Sequence, residues 1–269
     1  FGGVSSGHEK KNKVRTRLLS KTISEIICDS DNVLIMGHKF SDLDCIGAAA
    51  GVYSSVIKSF SKSAYIVVDE GKSMAKSLIE HLESRANGMF ITAERALSMI
   101  TEKTLLFVVD THSPDFVESP KVWKSCNHVI VIDHHRKMVN YINNADVFFH
   151  EPNASSTSEM VTELIGYLGD DGLTRPEAEG LLSGIMLDTK NFVINTGVRT
   201  FEAAAYLRKK GADTVTVRNM FASSIDTYKE KYEVVSRAKI VDNCAISTIN
   251  GIVKNSRLLS AMAADEMLT

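Results

Sequence analysis

The sequence predicts an α/β fold: a parallel sheet flanked by helices, then a helical connector and the truncated start of a second α/β domain. Three observations predict it. Short, wholly apolar runs alternate with segments of helical periodicity, the pattern of strands buried on both faces. Three of those runs end in Asp or His, and the carboxyl ends of parallel strands are where α/β sheets place their ligands. The composition is that of an ordinary globular chain, with 269 residues, 44% hydrophobic and 24% charged; that suffices for one large core or two smaller ones.

The elements follow in order. Residues 1–17, FGGVSSGHEKKNKVRTR, are Gly/Ser-rich and then basic, and read as a linker feeding a helix. RLLSKTISEIICDS carries Leu18, Leu19, Ile23, Ile26 and Ile27 at helical spacing. NVLIMG is a buried strand, and DCIGAAAGVYSSVIKS a helix rich in small residues. SAYIVVD, GMFI, TLLFVVD and HVIVID are further strands, with SMAKSLIEHLESR and AERALSMI as helices between them. The later chain reads as mostly helical: TSEMVTELIGYL, RPEAEGLLSGIMLD, TFEAAAYLRKKG and DTYKEKYEVVSRAKI all fit the 3.6 period. NCAIST reads as a new strand. The expected organisation is a linker and leading helix over residues 1–30, a main domain over 31–225, a connecting helix over 226–241 and the start of another domain over 242–269.

Bulk properties exclude several classes. The net charge of −2 provides no overall basic field for nucleic acid and leaves only a local basic groove open. The cysteines Cys28, Cys45, Cys126 and Cys244 contain no C-x-x-C pair, so neither a disulfide framework nor a zinc knuckle is expected, and reduced cytosolic thiols are the simpler reading. No apolar run approaches the ~20 residues of a membrane span, and no secretory signal is visible. The chain opens on Phe1 and closes on SRLLSAMAADEMLT, a helix in progress, so it is expected to be a fragment of a longer protein.

The chemistry concentrates at strand ends. The strand at residues 32–37 runs into HKFSDLD, with His38, Asp42 and Asp44. The next candidate, Asp110, ends TLLFVVD and precedes Thr111 and His112. VIVIDHHRK delivers Asp133, His134, His135 and Arg136 together. Asp188 closes an apolar helix in GIMLDTKNF. Carboxylates packed this closely repel one another and raise their own pKa values, a conflict that divalent cations remove. Carboxylate and imidazole donors suit manganese, iron or another first-row ion better than structural zinc. Too many ligands for one ion suggest two sharing a bridging carboxylate, the arrangement that stabilises the attacking and leaving oxygens of a phosphoryl displacement.

Each residue also has a plainer reading. Asp42 can cap the helix beginning near Leu43, Asp110 can form an Asx turn, and His38 can be a hydrogen-bonded loop residue. Those readings must be invoked separately at every strand end, and they leave the Asp-His-His run unexplained. His8, His81, His128 and His150 are read as linker, helix-surface, strand and loop residues. His112 is open, either a support for the site or part of the turn before Pro114.

The runs HKFSDLD, VVDTH, DHHR and LDTKNF resemble, in the right order, the four metal motifs of the DHH phosphoesterases. The first matches the His-x-x-x-Asp-x-Asp form without substitution. MGHKFSDLDCIGAAAG, DTHSP, ASSTSEMVTEL and DTKNFVINTGVRTFEAAAYLRKKGAD are similar to one branch, the DHH part of membrane-anchored cyclic-di-AMP phosphodiesterases that carry a sensor and a degenerate GGDEF domain. KNKVRTR resembles that branch's linker.

The resemblance implies one metal on His38, Asp42 and Asp110, and another on Asp44, Asp110, His134 and Asp188, most simply manganese. It makes Asp110 the bridge, His135 the residue facing the substrate phosphate, and Asp133 a support. Arg136 and Arg199 can pair with phosphate oxygens, or Arg136 can be solvated. Ser155 and Ser156 can donate to a phosphate or cap the helix that follows.

The implied activity is hydrolysis of cyclic di-AMP to linear pApA, by a cytoplasmic domain of a membrane-anchored protein. Long nucleic acid and direct membrane contact are not expected, and a homodimer is a candidate assembly. The rivals are a nanoRNA or oligonucleotide phosphodiesterase or a pyrophosphatase of the same superfamily, a module that binds the cyclic dinucleotide without cutting it, and a purely structural metal site. The family's second domain carries a glycine-rich substrate clamp. The sequence ends at Thr269, so the metal site is expected complete and the clamp is not.

Overall fold

The computed structural model describes residues 6–84, 88–169, 172–221, 225–249 and 256–268. The chain divides into two compact units, Phe1–Met220 and Phe221–Thr269. Among the described residues, no helix is long and apolar enough to cross a membrane.

The first unit is built on six parallel strands: β1 (Val33–Met36), β2 (Ala64–Val67), β3 (Phe90–Ile91), β4 (Leu105–Val109), β5 (His128–Asp133) and β6 (Val147–His150). Their spatial order is β3-β2-β1-β4-β5-β6. The helices are α1 (Ser6–Asp29), α2 (Leu43–Phe60), α3 (Lys76–Glu83), α4 (Ala93–Leu97), α5 (Pro120–Ser125), α6 (Thr157–Leu168), α7 (Arg175–Asp188), α8 (Val198–Lys209) and α9 (Thr214–Met220). The α/β class is therefore as expected.

The strand order places the site. From β1 the chain winds outward through β2 to β3, then returns to β4 and winds the other way. Right-handed crossovers then send α2 and α5 to opposite faces of the sheet. The loops after β1 and β4 diverge, and a crevice opens between their carboxyl ends. His38 leaves β1 there, and Asp110 leaves β4.

Alternation along the strands fills both layers. Leu34, Met36, Leu106, Val108, Val129 and Val131 pack with Ala96 and Val122, under α4 and α5. Their neighbours Val33, Ile35, Phe107, Val109, Ile130 and Ile132 are fully buried or nearly so, and serve the face that carries α2 and α6. There α2 and α7 approach closely because small residues meet. A Cβ on Gly47 would lie 2.3 Å from the carbonyl oxygen of Gly180. The run GAAAG of α2 is thus the groove that lets α7 seat.

Several elements differ from the sequence expectation. Residues 6–17, read as linker, are the first turns of α1. α5 is an added helix, and its signals are the Ser119 cap, whose Oγ accepts from the Val122 N–H, and Pro120 at the first turn. β6 is an added edge strand, short and half-buried in alternation, and α9 an added short helix.

In the second unit α10 (Ile225–Ser236) stops before residue 240, because β7 (Lys239–Val241) pairs antiparallel with β8 (Cys244–Ile246). Asp242 and Asn243 between them both have positive φ, 47° and 63°, the signature of a two-residue type I′ turn. α11 (Ser256–Glu266) packs Leu259 and Ala263 on Val234 of α10.

Replacing Gly47 by Ala should therefore cost about 1–3 kcal/mol, as an overpacked contact does. Urea unfolding checks this: the midpoint should fall with an unchanged slope.

Candidate metal centre

The site begins with a helix cap. Asp42 caps α2, its Oδ1 accepting from the backbone N–H of Asp44 and Cys45, both at 3.0 Å. That bond aims the rest of HKFSDLD. His38 Nδ1 donates to the Lys39 carbonyl at 2.8 Å, which leaves Nε2 as the free ring nitrogen. Nε2 lies 3.8 Å from Asp42 Oδ1 and 3.3 Å from Asp110 Oδ2. Asp42 is thus a helix cap that also faces His38, and it joins none of the ligand-sized groups formed here.

Asp44, in the first turn of α2, is 1% exposed. Its Oδ2 accepts from the Thr157 N–H at 2.8 Å and its Oδ1 from the Ser158 N–H at 2.9 Å. A carboxylate held by the first amides of a helix gains from both the bonds and the helix dipole. α7 passes close behind: a Cβ on Gly184 would lie 2.6 Å from Asp44 Oδ1 and 2.2 Å from Ser158 Oγ.

Asp110 follows β4 in the left-handed region, φ 59°, which Asp tolerates better than most residues. Its Oδ1 accepts from Thr157 Oγ1 at 2.9 Å. His134 Nε2 lies 3.7 Å from Asp110 Oδ1, 3.9 Å from Asp44 Oδ2 and 3.0 Å from Asp188 Oδ2. The last approach is off the axis of a hydrogen bond, so this buried nitrogen has no hydrogen-bond partner.

Thus His38 faces one oxygen of Asp110 and His134 faces the other. Ligand-sized groups form at His38–Cys45–Asp110, Asp110–His134–His135 and Asp44–His134–Asp188, with donor atoms within 4.8 Å of one another.

Electrostatics point the same way. Burial, then the charge of Asp44, pushes the Asp110 pKa well above the carboxylate range. Burial and Asp44 likewise raise Asp188 to about 6. Burial disfavours the charged imidazoles, yet Asp110 and Asp42 raise His38 to about 11, and Asp188, Asp44 and Asp110 raise His134 to about 10. Protons here do what cations of higher charge would do better. Oxygen and imidazole donors, an unpartnered buried ring nitrogen and mutually repelling carboxylates all fit divalent metal. Cys45 was not a sequence candidate; burial and the nearby Asp110 and Asp42 push its thiol pKa far up, so it is a neutral neighbour.

Around this centre, Asp133 is buried and accepts from both His112 Nδ1 and His135 Nδ1, so His112 is bonded to Asp133 and is more than a turn residue. The bonds from His112 and then His135, with the charge of His135, offset the burial of Asp133 and lower its pKa. His135 is half-exposed, and its pKa is raised chiefly by Asp133. Arg136 is exposed beside it.

The other substrate candidates are engaged elsewhere. Arg199 is 7% exposed, with Nε and Nη2 each 2.6 Å from the carboxylate of Glu163, so its fork is filled by protein. Ser156 caps α6, accepting from the Glu159 N–H, and Ser155 Oγ donates to Glu159. The hydroxyl that does reach the centre belongs to Thr157, a residue the sequence reading passed over. Its signal was the Ser/Thr run before an apolar helix.

Changing Gly184 to Ala should push Asp44 off the α6 amides and weaken metal binding about 10–100-fold, the usual effect of losing a ligand's support. Competition with a chelating dye measures it, with an unchanged affinity as the contrary result.

Comparison with known proteins shows the family. A cyclic-di-AMP phosphodiesterase GdpP of Geobacillus thermodenitrificans is 42% identical over all of this chain and 42% of its own length. A cyclic-di-AMP phosphodiesterase PdeA of Listeria monocytogenes is 39% identical over the same shares. The chain thus spans about two fifths of the length of these relatives. In fold it is similar to an exopolyphosphatase-related protein of Bacteroides fragilis, with TM-score 0.67 at 20% identity over 82% of this chain and 66% of that one. The profile of the DHH family, N-terminal domain, matches residues 32–185, a span that takes in every motif of the centre except Asp188, and the chain belongs to that family.

Proposed function

We propose that the chain is the catalytic part of a two-metal phosphodiesterase that opens cyclic di-AMP to linear pApA. The observation that carries this reading is the position of Asp110, with His38 3.3 Å from one carboxylate oxygen and His134 3.7 Å from the other. His38, Asp42 and Asp110 would hold one ion, and Asp44, Asp110, His134 and Asp188 the other. Hard oxygen and imidazole donors, with the one nearby thiol protonated, favour manganese. Bound there, two divalent ions would neutralise phosphate charge and lower the pKa of water.

The chain's own residues do the rest. Asp44 keeps its oxygens aimed through the Thr157 and Ser158 amides. The Asp133 bond spends the Nδ1 proton of His135 and leaves Nε2–H, on the exposed side of a raised-pKa ring, to donate to a phosphate oxygen. Arg136, exposed next to it, is placed to pair with a second phosphate.

The substrate itself is inferred from the relatives' names and the matching motifs, not from a base pocket. The same reading puts the chain on the cytoplasmic side of a membrane, as one part of a longer anchored protein, consistent with its two-fifths share of its relatives.

The test is turnover of cyclic di-AMP by the purified chain with manganese, followed by chromatography. pApA should accumulate. Asp110→Asn keeps the shape but loses the bridging charge, and should reduce turnover at least about a thousandfold, equivalent to ~4 kcal/mol of barrier. Cleavage that survives in Asp110→Asn, or a metal-loaded wild type that leaves cyclic di-AMP intact, contradicts the reading.

A further inference from the structure

His135 is held by more than Asp133. Its backbone N–H donates to Asp133 Oδ1 at 3.1 Å, and its carbonyl accepts from His150 Nε2 at 2.6 Å. A carbonyl cannot donate, so the His150 proton is on Nε2. The residue is therefore clamped at both ends of its backbone and at its ring.

His150 is itself well placed. It closes β6, in register opposite Asp133 at the end of β5, and the next residue's amide, Glu151 N–H, donates to the Asp133 carbonyl at 3.1 Å. Its ring meets that of His112 edge-on, centroids 5.2 Å apart. His112 in turn accepts from the Met138 N–H through Nε2, which fixes the Nδ1–H tautomer that donates to Asp133. Two imidazoles, His112 and His150, and the Asp133 carboxylate thus set where His135 points.

This frame has a handle outside the sheet. Arg15 Nη1, on α1, donates to the His150 carbonyl at 3.3 Å and to Glu151 Oε1 at 2.7 Å. Its guanidinium also lies 5.9 Å from the ring centre of Phe149, the residue before. One side chain of the N-terminal helix therefore grips three consecutive residues at the end of β6. The neighbouring ion pair on the same helix, Lys13 with Glu202, reaches α8 instead and makes none of these contacts with the end of β6.

We propose that His150 is a positioning residue for His135, and that Arg15, through His150 and Glu151, makes that positioning depend on where α1 lies. A shift of α1 along its axis pulls on the end of β6, moves the His150 N–H, and tilts the His135 carbonyl and ring away from the phosphate. The inference rests on the reading of His135 as the residue facing that phosphate. It gives α1 a regulatory role for this site: whatever moves the helix changes turnover and leaves the metal ligands in place, because none of His38, Asp42, Asp44, Asp110, His134 or Asp188 bonds to Arg15 or His150.

The test compares Arg15→Gln, His150→Phe, their combination, and Lys13→Gln as the control. With manganese saturating and cyclic di-AMP as substrate, Arg15→Gln and His150→Phe should each lower kcat about tenfold, the scale of a lost supporting bond. Metal per chain should stay within about twofold, since the ligands are untouched, and KM should change less than kcat, because the His135 bond strengthens as charge develops on the phosphate. The double variant should lose less than the product of the two single losses, because Arg15 and His150 act on the same residue through a shared path. Lys13→Gln should match wild type. A wild-type kcat in Arg15→Gln, equal loss in Lys13→Gln, or additive losses in the double variant would overturn the proposal.

A second readout does not need turnover. In 1H–15N spectra, the His135 amide should shift in Arg15→Gln and in His150→Phe and stay fixed in Lys13→Gln. An unmoved His135 amide in Arg15→Gln overturns the positioning role. Absent turnover in wild type, with the shifts present, overturns only the functional reading beneath it.

Discussion

Buried carboxylates that face one another are the constraint on which this structure turns. Asp44 and Asp110 are almost wholly buried, Asp188 and Asp42 stand at the rim, and burial and mutual charge push Asp110 and Asp188 toward the protonated state. Such an arrangement is costly in a metal-free fold. It persists because the helices around it are built to hold it. The Thr157 and Ser158 amides at the start of α6 take both oxygens of Asp44, Thr157 Oγ1 takes one of Asp110, and the start of α2 takes Asp42. Two helix N-termini are thus spent on anions before any ligand arrives.

The packing of the first unit follows from the same need. For α2 and α6 to present their first turns to one point, α7 must lie against both, and it does so only where side chains are absent. Gly47 meets Gly180, and Gly184 meets Asp44 and Ser158. Asp188, one turn beyond Gly184, then arrives beside His134. Core and site are therefore not separable: the residues that let α2 and α7 interlock also set the ligand positions. The strand order contributes the other half, since the reversal between β1 and β4 opens the crevice into which His38 and Asp110 project.

Much of this was legible in the sequence. Strands buried on both faces read as apolar runs, and an acidic or histidine residue just past such a run has few structural reasons to be there, so β1, β4 and β5 and their terminal groups stood out. α6 and α7 were readable to the residue because their periodicity is bounded by Ser/Thr and Pro signals. What stayed hidden depends on tertiary contact. β6 is four residues of an edge strand and α5 six residues of helix, too short for periodicity to show. Residues 239–241 fit a helix until β8 supplies a partner. Ser155 and Ser156 could cap or bind phosphate on sequence grounds, and Arg199 carried a free charge until Glu163 met it. His150 looked like a loop histidine because its importance lies in a bond to a backbone carbonyl fifteen positions earlier, which no local pattern encodes.

The central claim is that Asp110 joins two ions into one centre. Electron paramagnetic resonance of the manganese-loaded chain, with metal counted on the same sample, tests it most directly. Two manganese ions per chain are expected, with the spectrum of an exchange-coupled pair and loss of that coupling in Asp110→Asn. One ion per chain, or two with the spectrum of isolated manganese, would contradict that claim.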